Sequence, residues 1–199
     1  FVRTLAADYP NLALRPLVGD FTTALTIPPL PGARGRAGFF PGSTIGNFTP
    51  GAALGLLTRM RLALQGGGLL IGVDLVKDPS RLHAAYNDSA GITAAFNKNL
   101  LVRANRELGA DFDLARFAHY APYDPIAQRI EMYLVSLAPQ RVHLQGEVFD
   151  FAAGEAIHTE NSHKYTVTAF HKLAVQAGFV PRAVWCDGHE LFSLHWLEP

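Results

Sequence analysis

Gly38-Phe-Phe-Pro-Gly-Ser-Thr-Ile-Gly-Asn-Phe48 and Ile71-Gly-Val-Asp-Leu-Val-Lys-Asp78 decide the fold of this chain. Each begins as an apolar run and breaks into small and polar residues at its C-terminal end, which is where open α/β sheets bind ligands. Between them, Thr49 followed by Pro50 starts a helix. The threonine oxygen can accept from an orphan backbone N–H, and proline brings the φ of a first helical turn. Leu54, Leu57, Met60 and Leu64 recur at helical spacing up to the stop at Gly66-Gly-Gly68. Leu69–Leu75 then reads as a strand apolar throughout, of the parallel kind covered on both faces. This is a βαβ unit, and the fold class it predicts is α/β.

Toward the N-terminus, Leu12–Val18 reads as a short strand ending in Gly19-Asp20-Phe21, and Phe1–Tyr9 as the last turns of a helix. Ile27 to Gly35 reads as a proline-locked loop and Ala37–Phe40 as a buried strand. After Lys77 the pattern changes to helices over Pro79–Tyr86 and Ala90–Leu108, then long strands over Ile130–Leu137 and Val142–Phe151. Beyond Lys164 a helix carrying Phe170, Leu173 and Ala177 ends at Gly178, and Val180–Cys186 and Glu190–Leu197 form an antiparallel pair. The expected organisation is an α/β domain of residues 1–77 and 165–199, interrupted by an α+β insertion of residues 78–164.

Seventeen basic and seventeen acidic residues cancel, so the chain lacks the electrostatic footprint of a partner for nucleic acid or anionic lipid. No stretch reaches the ~20 apolar residues that a membrane-spanning helix needs. A small-molecule ligand is therefore expected. The single cysteine, Cys186, excludes an internal disulfide framework, agrees with a cytoplasmic setting, and reads as a small buried strand residue. Gly66-Gly-Gly68 precedes a strand instead of following one, which makes it a turn and not a phosphate cradle. The eight histidines lack zinc-site spacing, so no metal is expected. A nucleophile elbow of the serine-hydrolase type is also missing.

What remains is a set of polar groups that bind and do not attack. Asn47 follows the second strand segment on a turn of small residues, Tyr86 closes a helix, and Glu160 and Ser162 share strand parity. Each has a structural alternative. Tyr86 could pack a helix end, Ser162 could cap the helix after Lys164, and Met132 falls in the apolar register Ile130, Met132, Leu134 of a core strand. Asp74 and Lys77 read as an ion pair at the domain junction.

Six segments together carry a resemblance. They are Gly42-Ser-Thr-Ile-Gly-Asn47, Gly72-Val-Asp-Leu-Val-Lys-Asp78, Ala84-Ala-Tyr-Asn-Asp-Ser-Ala-Gly-Ile-Thr-Ala-Ala-Phe-Asn97, Arg106-Glu-Leu-Gly-Ala-Asp-Phe112, Ile130-Glu-Met132 and Ile157-His-Thr-Glu-Asn-Ser-His-Lys164. In this order and over essentially the whole chain, the sequence resembles the histidine-specific, S-adenosylmethionine-dependent methyltransferases of ergothioneine biosynthesis. The resemblance implies a Rossmann-like methyltransferase domain with an inserted substrate-binding domain, S-adenosyl-L-methionine as cofactor, and L-histidine as the small-molecule substrate. The product it implies is the Nα-trimethyl betaine, hercynine. It places Asp20 and Phe21 beside the adenine, Asn47 and Tyr86 at the amino-acid end of the substrate, and Met132, Glu160 and Ser162 around the imidazole. Asn161 stands where the family usually has an apolar residue, and His163 where it usually has a small one.

The implied chemistry assigns no catalytic acid or base, because the donor sulfonium is already activated and alignment of the amine is the main contribution. The family's glycine-rich cofactor turn and acidic strand end are expected to precede Phe1. In the family's strand order, 3-2-1-4-5-7-6, this chain supplies strand three, then four to seven. Strands one and two would fall in a gap, so the 199 residues alone are expected to bind the cofactor weakly or not at all. They either self-associate across the gap or belong to a longer, monomeric chain. Two other functions compete: a ligand-binding module without catalysis, and a methyltransferase for a different amine.

Overall fold

The computed structural model describes residues 2–23, 26–29, 32 and 34–199. In chain order the elements begin with α1 (Val2–Asp8), β1 (Ala37–Phe40), α2 (Pro50–Leu64), β2 (Gly68–Asp74), α3 (Pro79–Tyr86) and α4 (Ile92–Leu108). They continue with β3 (Phe117–Tyr120), β4 (Tyr123–Asp124), β5 (Arg129–Ser136), β6 (Gln140–Leu144) and β7 (Glu147–Phe151). The chain closes with β8 (Ala156–His163), α5 (Val167–Gln176), β9 (Val180–Cys186) and β10 (Phe192–Glu198).

One sheet has the order β1-β2-β10-β9. β1 and β2 are parallel and joined by α2, the expected βαβ unit, while β10 runs antiparallel to both β2 and β9. Ala53, Leu56 and Leu57 of α2 and Phe170 and Ala174 of α5 bury against Leu69, Ile71, Val73 and Leu197 of the strands. Each large side chain so buried contributes ~1.5–3 kcal/mol. α2 starts where Thr49 Oγ1 accepts from Ala52 N at 3.4 Å, with Pro50 at its first position. Its glycine stop has a second cause besides the turn. A Cβ on Gly67 would lie 2.0 Å from the Arg36 carbonyl oxygen, and one on Gly68 would lie 2.2 Å from the Trp196 ring.

A second sheet is built on β5, which pairs antiparallel with β3, β4 and β8. β5 alternates strictly, with Ile130, Met132, Leu134 and Ser136 buried and Arg129, Glu131, Tyr133 and Val135 half-buried, the period of a strand covered on one face. Asn97 of α4, also buried, ties that helix to three strands. Its Nδ2 lies 3.1 Å from Tyr133 O and 3.0 Å from His119 Nδ1, and its Oδ1 accepts from Thr159 Oγ1 at 2.7 Å. α4 is started by Asp88, whose carboxylate accepts from the backbone N–H groups of Ile92 and Thr93 at 2.8 Å each. Those bonds hold the Asp88 carboxyl down at about 2.

Several expectations need correction. Leu12–Val18 forms no strand, and Leu12, Leu17 and Val18 are all exposed. Pro10 and Pro16 offer no N–H, and among the described residues β1 pairs with β2 alone, so no neighbour is there to receive the segment. β1 itself is half exposed, not buried, with Phe39 turned outward. Val142–Phe151 is a hairpin of β6 and β7 and not one strand, because Gln145 and Gly146 both take positive φ, 50° and 86°, as a tight two-residue hairpin turn requires. Cys186 is exposed, at the end of β9 on the rim of its sheet. The α1 helix is present, although Phe1 lies outside the described residues. So do Leu30, Pro31 and Ala33 of the proline-rich loop. Among the described residues no helix is long and apolar enough to cross a membrane.

The first sheet also buries a histidine. His195 on β10 is fully buried, with Ser193 Oγ 2.8 Å from its Nε2 and His171 Nε2 3.0 Å from its Nδ1. Burial pushes its pKa down to about 4, with the neighbouring His171 acting in the same direction. Because the folded value lies below the unfolded one of about 6.5, the unfolded chain binds more protons between the two, and stability falls as pH falls through that window. Urea unfolding should show on the order of 1–2 kcal/mol less stability at pH 5 than at pH 7. Equal stability at the two pH values would contradict a neutral buried His195.

Candidate functional site

Asp74, the last residue of β2, is bonded to four other residues. Its backbone N–H donates to Ser43 Oγ at 2.8 Å, and its carbonyl accepts from Tyr165 N at 3.0 Å. Its carboxylate pairs with Lys77 through Oδ1, the ion pair read in the sequence, and with Lys164 Nζ through Oδ2 at 2.7 Å. Ser43 reaches it from the left-handed region, φ 53°, a conformation that costs a residue with a side chain of order 1–3 kcal/mol and persists where surroundings impose it. The next turn is pressed just as closely. A Cβ on Gly46 would stand 2.7 Å from the His163 carbonyl oxygen, so only glycine lets the Thr44–Asn47 turn lie on β8.

Lys164 is the residue that sequence reasoning missed. Its side chain is fully buried, where an ammonium persists only if paired and hydrogen-bonded. All three of its protons find acceptors: Asp74 Oδ2, Ser162 Oγ at 2.7 Å and Tyr86 OH at 2.8 Å. The two hydroxyls are themselves 2.8 Å apart. The available signal was a lysine two residues after Ser162, continuing the alternation of Glu160 and Ser162, which would have read as a solvated strand end.

Tyr86 is fixed from both sides of its own backbone. His119 Nε2 lies 2.8 Å from the Tyr86 carbonyl oxygen. The Asn87 side chain pairs with the Ala121 backbone like a strand neighbour, Nδ2 to O at 2.8 Å and N to Oδ1 at 3.1 Å. Glu160 and Ser162 are aimed by a bulge. β8 pairs Ser162 with Ile130 and Glu160 with Met132, then shifts register so that Leu134 faces Ile157. Thr159 is the extra residue, its hydroxyl near Met132 O and Asn97 Oδ1. Bulges of this kind re-aim side chains beside sites. Here the shift places Ile157, Glu160 and Ser162 on one face despite their odd spacing.

Four of the five expected substrate residues, Asn47, Tyr86, Glu160 and Ser162, line one cavity of about 450 Å³, together with Ser43, Thr44, Asp74, Phe96 and Phe192. Met132 does not line it. Met132 is buried with Leu82, Ala121 and Ile130 and packs behind Tyr86, as its apolar register predicts. Glu160 is half-buried, and its pKa is raised by that burial against the pull of Lys164. Among the described residues its carboxylate takes no hydrogen bond, and neither does the exposed Asn47 amide. The two departures from the family pattern stay out of the cavity: Asn161 Oδ1 lies 3.1 Å from His158 Nε2, and the buried His163 ring leaves Nε2 without a partner.

Phe21 lies edge-on to Phe40 and Phe48, centroids 5.9 and 6.3 Å away, and it borders a separate apolar cavity of about 280 Å³ with Phe39, Met60 and Leu69. Asp20 accepts from Thr22 N and Oγ1 through one oxygen, and the hydrogen bonds with Thr22 lower its pKa. Its second oxygen accepts nothing among the described residues. No cluster of His, Cys, Asp or Glu among the described residues could hold a metal.

The family model described as "Histidine-specific methyltransferase, SAM-dependent" matches residues 1–199. The chain is 42% identical over 194 residues to a Histidine N-alpha-methyltransferase of Mycolicibacterium smegmatis, covering 96% of this chain and 60% of that protein. It is 41% identical over 190 residues to the protein of the same name from Mycobacterium tuberculosis, covering 94% and 59%. To Ergothioneine biosynthesis protein 1 of Neurospora crassa it is 33% identical over 162 residues, covering 78% and 18%. The chain thus spans about three fifths of the two mycobacterial relatives. With its parallel β1 and β2 and antiparallel β10, it is an α/β chain with the Rossmann-like methyltransferase fold. It belongs to the histidine-specific, SAM-dependent methyltransferase family.

Proposed function

We propose that the protein is an S-adenosylmethionine-dependent N-methyltransferase that acts on the α-amine of L-histidine and carries it to the trimethylated betaine, hercynine. The observation that carries this reading is the convergence of Asn47, Tyr86, Glu160 and Ser162 on one cavity. Residues 1–77 with 165–199 form the cofactor side and residues 78–164 the substrate side. Ser43, Asn47, Asp74 and Phe192 enter the cavity from the first, and Tyr86, Phe96, Glu160 and Ser162 from the second.

In this reading Asn47 and Tyr86 hold the carboxylate end of the substrate. Glu160, which has no partner of its own among the described residues, accepts from an imidazole N–H, and Ser162, bonded to Tyr86, couples the two ends. With both ends held, the amine between them is fixed in direction, and orientation of this kind supplies ~7–11 kcal/mol toward a transfer reaction. Asp20 and Phe21 would hold the adenine of S-adenosylmethionine, which supplies an electrophilic methyl group. The Phe21–Phe48 contact brings that end next to Asn47 through a single peptide bond. Histidine is chosen over apolar amino acids because a ligand that covers the half-buried Glu160 without matching it leaves the carboxylate unpaired, at a cost of ~1–3 kcal/mol or more.

The full-length gene product, incubated with cofactor and L-histidine, should yield histidine carrying one, two and three added methyl groups by mass spectrometry. Absence of any methylated histidine at saturating substrate would remove the reading. Glu160→Ala should weaken histidine binding by about tenfold or more. Its unfolding midpoint should stay within about 2 °C of the wild type, as expected for a surface-accessible residue without a structural partner. Equal losses of binding and of stability would assign Glu160 to the fold instead.

A further inference from the structure

We propose that Lys164, held by Asp74, is a positioning residue that makes the Tyr86–Ser162 hydroxyl pair a hydrogen-bond donor toward the cavity, and so selects a carboxylate at that corner. The inference rests on the reading above, in which an amino acid occupies the cavity. It follows from counting protons. The ammonium has three, and they go to Asp74 Oδ2, Tyr86 OH and Ser162 Oγ. Both hydroxyl oxygens are therefore already acceptors. The two hydroxyls have two protons between them, and the 2.8 Å contact joining them uses one. One proton is left over. No third protein acceptor lies within reach of the pair among the described residues, and both side chains line the cavity. Whichever hydroxyl carries that proton, the pair presents a donor.

Lys164 also sets the sign of the charge behind the pair. Asp74 and Glu160 both line the cavity, and the buried ammonium places a positive charge directly behind the two hydroxyls, beside these carboxylates. Lys77 pairs with the other oxygen of Asp74 but does not line the cavity, so it neutralises Asp74 without supplying either hydroxyl. Lys164 touches no substrate in this account. Its three bonds are spent within the protein, and it acts through Tyr86 and Ser162.

The test compares the affinity of the full-length gene product for L-histidine and for L-histidinamide by calorimetric titration. The amide keeps the imidazole and the α-amine but replaces a charged acceptor oxygen with a donating NH2. The wild type should prefer histidine by about tenfold or more. Lys164→Met, of similar length and without charge or hydrogen-bond donors, should lose most of that preference, with histidinamide affinity changing by less than about threefold. Because Lys164→Met leaves a carboxylate with one partner fewer, the paired variant Asp74→Asn with Lys164→Met removes both charges and should show the same collapse. The variant that keeps a cooperative unfolding transition decides. Loss of fold alone lowers both affinities together and leaves their ratio intact. A preserved ratio in a folded variant overturns the inference, while methylated histidine from the wild type keeps the broader reading. A wild type that binds both compounds equally also overturns the inference. If it binds neither, the inference falls together with the reading on which it rests.

Discussion

The buried ion pair of Lys164 and Asp74 is the constraint around which the site is arranged. An ammonium with no solvent exposure is stable only when its charge is matched and each proton has an acceptor. That requirement places the end of β2, the end of α3 and the end of β8 within one hydrogen-bond radius of Nζ. Removing one partner from such a pair costs about 3–5 kcal/mol. The same pair connects the sheet of β1, β2, β10 and β9 to the sheet built on β5. The close approach of Gly46 to the His163 carbonyl reinforces that contact a few residues away. The cavity wall is thus a consequence of satisfying one charge.

The two carboxylates facing the cavity have opposite fates. Asp74 is saturated by Lys77, Lys164 and, through its backbone, Ser43 and Tyr165. Glu160 has no partner among the described residues, and burial raises its pKa. One organises and the other is available to a ligand. Phe96 and Phe192 add apolar wall between the polar corners. A small cavity with a few convergent polar groups is the usual form of a site that discriminates by orientation.

Much of this was legible in the sequence because it is local. The cap at Thr49 and Pro50, the helix over Pro79–Tyr86, the apolar run of β2 and the glycine after α5 each depend on a handful of adjacent residues, and each element formed with nearly the expected bounds. That Asn47, Tyr86, Glu160 and Ser162 line one cavity was to be expected only from the family resemblance, which supplies a long-range meeting that periodicity cannot. Lys164 was missed for the same physical reason: its partners lie 90 and 78 residues away along the chain, at Asp74 and Tyr86. The hairpin at Gln145-Gly146 went unread because glutamine seldom takes positive φ and gives no turn signal of its own. Leu12–Val18 looked like a strand by composition, yet a strand needs a neighbour to receive its backbone bonds, and composition does not show whether one is there. The Thr159 bulge shifts the parity of β8, which strict alternation cannot express.

The most direct test is a crystal structure of the protein with L-histidine bound. The account predicts the substrate carboxylate within about 3.2 Å of the Tyr86–Ser162 hydroxyl pair, and an imidazole nitrogen at the same distance from the Glu160 carboxylate. Lys164 Nζ should remain on Asp74, untouched by the ligand. Histidine bound in the reverse sense, with its imidazole on the hydroxyl pair, or bound outside this cavity, would contradict it.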